Sequence, residues 1–298
     1  MSRLSRPQMS FVFLAAASLA FGWHPLLATF FLALRNDQYT HILLILPVSL
    51  ALISLDWPSL RGMFAPNVRA GSAFLLIAVL AATLATMRSG TLPPDVQLSI
   101  RIFALVVFWI GACLLCFGSR VARALIFPLC FLFWLVPFPQ AVLAEIVTLL
   151  QQGSAITAHW LFTAAGVPVS QDGVVLNIPG LTVEVSQECS SIRSSSMLLV
   201  TTMVLAQVLL RSPWRKALVI AIAVPLSVAK NGLRIFTISM LGTRLDPGYL
   251  TGRFHHQGGI VFFAVALGLV FVLIWLLKRA ENKEAPAQNL VSVGSVDS

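Results

Sequence analysis

Three polar clusters interrupt an otherwise apolar chain, and their residue types combine into acyl-transfer chemistry. The first is SQECSSIRSSS, residues 186–196. It holds Cys189, which alone among Cys113, Cys116, Cys130 and Cys189 lies outside an apolar run. Glu188, Ser190 and Ser191 flank the thiol at an expected helix start, and Arg193 follows one turn later. The positive end of a helix and a neighbouring guanidinium both favour a thiolate. The second cluster is KNGLRIF, residues 230–236, where Arg234 falls within an apolar helix. An Arg at membrane depth costs roughly 2.5–3.5 kcal/mol on insertion scales, so it is usually paired or functional. Asn231, three residues earlier, shares its face, and Lys230 is read as one residue off it. The third is GRFHHQGG, residues 252–259, where His255 and His256 supply an imidazole that titrates near neutrality. A thiolate to attack a carbonyl, an imidazole to move protons and a fixed cation to hold developing charge form a working set for acyl transfer. Each cluster also has a bland reading: a structural cysteine beside a capping serine, an Arg snorkelling to the interface, an interfacial histidine pair.

The elements that must position these groups are membrane helices. The chain of 298 residues is 58% hydrophobic and only 10% charged. Its mean hydropathy is +0.89. A soluble domain carries about 25% charged residues and could not cover its surface with so few. The formal charge of +9 belongs to loops and speaks to orientation, and no basic stripe interleaved with aromatics points to nucleic acid. Cys113 and Cys116 form a CxxC within lipid-embedded sequence with no polar ligand nearby, so they read as packing residues. His24, His41 and His159 lack Cys or Arg partners in sequence and read as packing or positioning residues.

A span needs about 20 apolar residues. Eight candidates fall at roughly 11–34, 40–56, 72–88, 102–118, 122–137, 191–210, 217–238 and 257–277. The expected fold is an all-α polytopic membrane protein of about eight transmembrane helices with a small extracytoplasmic β-hairpin. It forms a single transmembrane domain over 1–280, and 281–298 is a polar, disordered cytoplasmic tail. Lys and Arg concentrate in the loops at 57–71, 119–121 and 211–216 and at both termini, which places these in the cytoplasm. The three polar clusters then share one membrane depth, on the outer face. Residues 139–166 are apolar but carry Glu145, Gln151, Gln152, Ser154 and His159, and they read as a re-entrant or interfacial element, with a ninth span as the alternative. VVLNIPGLTVEV, from residue 174, has two β-type runs about Pro179–Gly180, a type II turn pair, and leads directly to Cys189.

NDQYTHILLILPVSLAL, FPLCFLFWLVPFPQ, GVPVSQDGVVLNIPGLTVEVSQECSSIRS, AKNGLRIF and FHHQGGIVFF occur in this order. Over about residues 35–265 the sequence resembles the exosortase/archaeosortase family of membrane-embedded cysteine transpeptidases. The resemblance implies Cys189 as nucleophile, Arg234 as catalytic arginine and His255 as third member, with His256 as its alternative. Glu188, Arg193 and Asn231 are the expected substrate-binding residues. It implies a cysteine endopeptidase or transpeptidase of the cytoplasmic (inner) membrane, with its active site on the outer (periplasmic) face. The implied substrates are secreted proteins bearing a C-terminal sorting signal of Pro-Glu-Pro type, a helix and a basic cluster, processed in connection with exopolysaccharide export. No metal or organic cofactor is implied, and no nucleic acid. Two other classes remain open on the residues alone. One is a transporter or channel with Arg234 and the histidines lining its path, and the other is a non-catalytic assembly factor; both should tolerate Cys189→Ala.

Overall fold

The computed structural model describes residues 5–60, 62–185, 192–251 and 253–293, without the side chains of 250, 251, 253–258 and 285–293. The helices are α1 (Arg6–Arg35), α2 (Ile42–Leu60), α3 (Val68–Met87), α4 (Pro94–Phe117), α5 (Ser119–Ala124), α6 (Ile126–Phe131), α7 (Gln140–Ala164), α8 (Ile192–Leu209), α9 (Pro213–Arg244), α10 (Gly248–Thr251) and α11 (Arg253–Val293). Strands β1 (Ser170–Asp172), β2 (Val175–Ile178) and β3 (Leu181–Glu184) lie between α7 and α8. Among the described residues, 8 helices are long and apolar enough to cross a membrane. The chain divides into two compact units, Met1–Leu143 and Ala144–Ser298.

In the first unit α4 is the central helix. It runs antiparallel to α3, with Gly71 against Leu115 and Gly111 against Phe74; a Cβ at residue 71 would sit 2.7 Å from the Leu115 backbone. Removing the side chain lets the two backbones approach, the usual device where lipid supplies no hydrophobic drive between helices. On another face of α4, Trp109 Nε1 donates to Ser18 Oγ of α1 at 2.9 Å.

Seven expected spans overlap helices of matching position, four of them overrunning an end by one or two residues, and the fifth is corrected. Residues 122–137 are not one helix: α5 and α6 hold six residues each, and a 3-10 turn, Leu132–Leu135, follows. Pro128 removes a backbone donor here, and Pro137 and Pro139 end the segment. It returns along α4 all the same. Asn67 Nδ2 donates to Ser119 Oγ at one end, and Ser99 Oγ donates to the Pro137 carbonyl (2.6 Å) at the other. Buried Phe131, Leu132 and Leu135 enclose the irregular backbone in protein. The re-entrant reading of 139–166 is also corrected: α7 is a single helix of 25 residues, long and apolar enough to cross.

In the second unit α8, α9 and α11 pack around Leu198, Ala206, Val219, Ala266, Val270 and Ile274. The far end of α11 is clasped to the α8–α9 turn. Buried Arg215 contacts Glu284 at 2.6 Å and Glu281 at 3.7 Å. Glu281 also accepts from the backbone N–H groups of Arg211 (3.1 Å) and Ser212 (2.8 Å), at the positive end of α9. The helix thus continues past residue 280, where the sequence reading begins its tail.

The expected hairpin is present. β2 and β3 pair antiparallel across Pro179–Gly180, and Gly180 has φ +81°, the left-handed value that a type II turn requires at its third position. A third strand, β1, pairs with β2 on the other side. The apolar residues of the sheet, Leu176, Ile178 and Val185, pack with Ala155, Ala158 and Phe162 of α7 and Ile235 of α9.

Candidate active site

The second unit brings the start of α8, the middle of α9 and the inward face of α7 together, and polar side chains make the joins. On α9 the inward face runs through Val219, Ala223, Ser227, Lys230, Asn231, Ile235 and Ile238, spaced by three or four residues. Arg234, half-buried, is one turn beyond Lys230 and three residues beyond Asn231, so all three address the same interior. Asn231 is 1% exposed, and its Nδ2 donates to Ser154 Oγ of α7 at 3.0 Å. Its Oδ1 is buried with no hydrogen-bond partner among the described residues. Lys230, 6% exposed, donates through Nζ to Ser194 Oγ in the first turn of α8. On α7, Gln151 Nε2 donates to the carbonyl of Val185 at 2.7 Å, where the described chain leaves β3.

Close backbones make these contacts possible. A Cβ at residue 232 would lie 2.5 Å from Thr157 Cβ and 3.1 Å from the Ala158 nitrogen, and one at residue 153 would lie 2.8 Å from Val228. Without side chains at these positions α7 approaches α9 closely enough for short polar groups such as Ser154 and Asn231 to meet.

Of the sequence-derived site residues, Arg193, Asn231 and Arg234 fall in this region. Arg193 is exposed in the first turn of α8, adjacent to Ser194. Cys189 and Glu188 lie outside the described residues. In sequence Cys189 is four residues past Val185 and three before Ile192, both buried. His255 and His256 lie on the first turn of α11, with side chains outside the description.

Sequence reasoning missed Ser154 and Ser194 and placed Lys230 off the Arg234 face. The signal for Lys230 was available, because 230 and 234 are four apart and stack on a helix. For Ser154 and Gln151 the signal was misread. Polar residues in an apolar segment suggested an interfacial element, whereas they are the inward contacts of a long helix. Among the described residues no three His, Cys, Asp or Glu side chains gather as a metal site. A cavity of about 360 Å³ in the first unit is lined by Phe31, Arg35, Tyr39, Asp95 and Phe138 among others. It holds no thiol or imidazole.

Comparison with protein families gives a match to the model for transmembrane exosortases (Exosortase_EpsH) across residues 33–272. No match was found among curated proteins or among solved structures.

Proposed function

Since the chain belongs to the transmembrane exosortase family, we propose that it is a membrane-embedded cysteine endopeptidase or transpeptidase. It acts at the outer face of the cytoplasmic membrane on C-terminal sorting signals of secreted proteins, in connection with exopolysaccharide export. The supporting observation is the convergence of α7, α8 and α9 on Ser154, Asn231, Lys230 and Ser194, with Arg234 one turn away and both ends of the Cys189 segment anchored nearby.

Cys189 gives its proton to His255, or to His256, and the thiolate attacks the scissile carbonyl. Arg234 holds negative charge, first on sulfur and then on the tetrahedral oxygen. Collapse breaks the C–N bond, the imidazolium protonates the leaving amine, and a thioester remains on Cys189. An amine or water then gives a proton to the imidazole, attacks the thioester and releases the thiolate. Glu188, Arg193 and Asn231 hold the substrate around the reacting carbonyl.

The test is co-expression with a secreted reporter bearing a C-terminal sorting signal. Processing that requires Cys189, with a thioester-linked reporter trapped by rapid denaturation, is the expected result. Normal processing by Cys189→Ala would remove the covalent mechanism and favour a transporter or an assembly factor. A reporter fusion at residue 285 should read cytoplasmic and one near 175 external, since three spans separate them; a cytoplasmic reading at 175 would move the site to the wrong face.

A further inference from the structure

The small sheet ends in a strand, β3, that is unpaired on its outer edge among the described residues and precedes Cys189 in sequence. The strand order is β1-β2-β3, so among the described residues β3 has a neighbouring strand on one side only. Its hydrogen-bonding phase follows from one contact: the Val185 N–H donates to the Val174 carbonyl at 3.0 Å. In an antiparallel ladder, bonded and non-bonded pairs alternate. The bonded pairs are therefore 174/185, 176/183 and 178/181. The pairs Asn177/Thr182 and Val175/Glu184 are the non-bonded ones. The backbone N–H and C=O of Thr182 and Glu184 thus point away from β2, and both residues are exposed. Thr182 and Asn177 confirm the phase, since their side chains meet at 2.9 Å, as close non-bonded pairs do.

The strand is held firmly despite its free edge. Val185 is buried in the apolar cluster, Leu181 and Val183 pack against it, and Gln151 holds the Val185 carbonyl. The opposite edge differs. There the outward residue is Gln171 of β1, whose side chain turns back to the Gly173 carbonyl at 2.9 Å. That edge leads away from Cys189, whereas β3 reaches it five residues after Glu184.

Resting on the cysteine-enzyme reading above, we propose that an extended stretch of the peptide substrate adds to β3 as a fourth strand. Its backbone pairs with Thr182 and Glu184, and its chain is thereby led along the enzyme toward Cys189. Main-chain hydrogen bonds supply affinity along this stretch and demand an uncoiled segment, while the sorting motif itself is read by side-chain contacts elsewhere. The residue opposite Val183 faces the apolar cluster and is preferred apolar; a carboxylate directly opposite Glu184 is disfavoured.

Proline tests this edge selectively, because it removes an N–H and is accepted at edge strands where that N–H points outward. The assay uses the full-length enzyme in nanodiscs and a fluorogenic peptide spanning the cleavage site of the processed reporter. Thr182→Pro and Glu184→Pro should each raise KM about 5- to 10-fold with kcat held, the effect of one lost main-chain hydrogen bond. Gln171→Pro, which removes the outward N–H of the other edge, should leave KM within about twofold. N-methylating substrate amides one at a time should raise KM at alternate positions only. Unchanged KM in both β3 variants, or a uniform response to N-methylation, would overturn the proposal. Should a β3 variant lower the melting temperature, the N-methyl series on the wild-type enzyme decides. The function is tested apart: Cys189→Ala should bind labelled peptide with wild-type affinity yet not cleave it, and cleavage by that variant would sink the enzyme reading whatever the edge does.

Discussion

The two units differ in how they use buried polar groups, although Trp109 and Ser18 also meet between helices in the first. In the unit Met1–Leu143 they serve mainly backbone closure: Tyr39 Oη donates to the Phe138 carbonyl and Ser99 to that of Pro137. Those bonds tie down irregular chain. In the unit Ala144–Ser298 polar side chains meet each other between helices, as in Ser154–Asn231 and Ser194–Lys230. A buried ammonium and a buried amide are expensive in a membrane protein, and cheaper residues would hold helices together as well. Polar groups kept where apolar ones would suffice are what the proposed site in the second unit would require.

Thiol replacement separates the units most sharply. Cys189→Ala should lower processing by more than about 1,000-fold, the loss typical of removing a covalent nucleophile. Cys113→Ala and Cys116→Ala, both buried in α4 of the first unit, should keep activity within about twofold. Processing of the co-expressed reporter measures both, and equal losses would erase the contrast. Next, Arg234→Lys should cost about 100-fold or more in kcat, since an ammonium keeps the charge but loses the planar fork that holds two oxygens. Activity near wild type would reduce Arg234 to a counter-charge.

Two serines sharpen the comparison through stability. Ser154→Ala leaves the buried Asn231 amide without its partner and should cost about 1–3 kcal/mol. Ser49 in α2 is 1% exposed, and its Oγ has no hydrogen-bond partner among the described residues. Ser49→Ala should be neutral or slightly stabilising. Thermal unfolding in detergent reports both, and the reverse order would contradict the division of labour. The smallest effect is expected at the clasp. Glu284→Gln should cost about 1 kcal/mol or less, because that carboxylate is 65% exposed and its pairing with Arg215 is screened. A larger loss would make the clasp a main support of α11.

The helical body was legible because lipid demands long apolar runs, and seven spans followed from length alone. The β2–β3 hairpin was legible because Pro179–Gly180 fits one turn type and Leu181, Val183 and Val185 alternate with polar residues. The broken course of 119–135 was not, since hydropathy is blind to backbone breaks and proline is tolerated in membrane helices. α7 was misjudged because its polar residues were weighed by content rather than by face. Ser154 is buried and Gln152 exposed, two residues apart on one helix. β1 was missed because SQD, residues 170–172, lacks any strand pattern and is held only by pairing with β2. Arg193, Asn231 and Arg234 came from motif and membrane depth; Lys230 and Ser194 needed the packing of α8 on α9.

The contact at Gly232 also makes the protein easy to silence conditionally. A methyl group there meets Thr157 Cβ and the Ala158 backbone, which no rotamer change relieves. It would act as a wedge, parting α7 from α9 at the level of Asn231 and loosening the Ser154–Asn231 contact without replacing any side chain of the proposed site. The strain subtracts from stability, so the variant should lose its packing at a lower temperature than the wild type. A Gly232→Ala allele is therefore the natural candidate for a temperature-sensitive strain, in which processing stops on an upshift and resumes on cooling. A geneticist could then time the enzyme's action in a growing cell without deleting it.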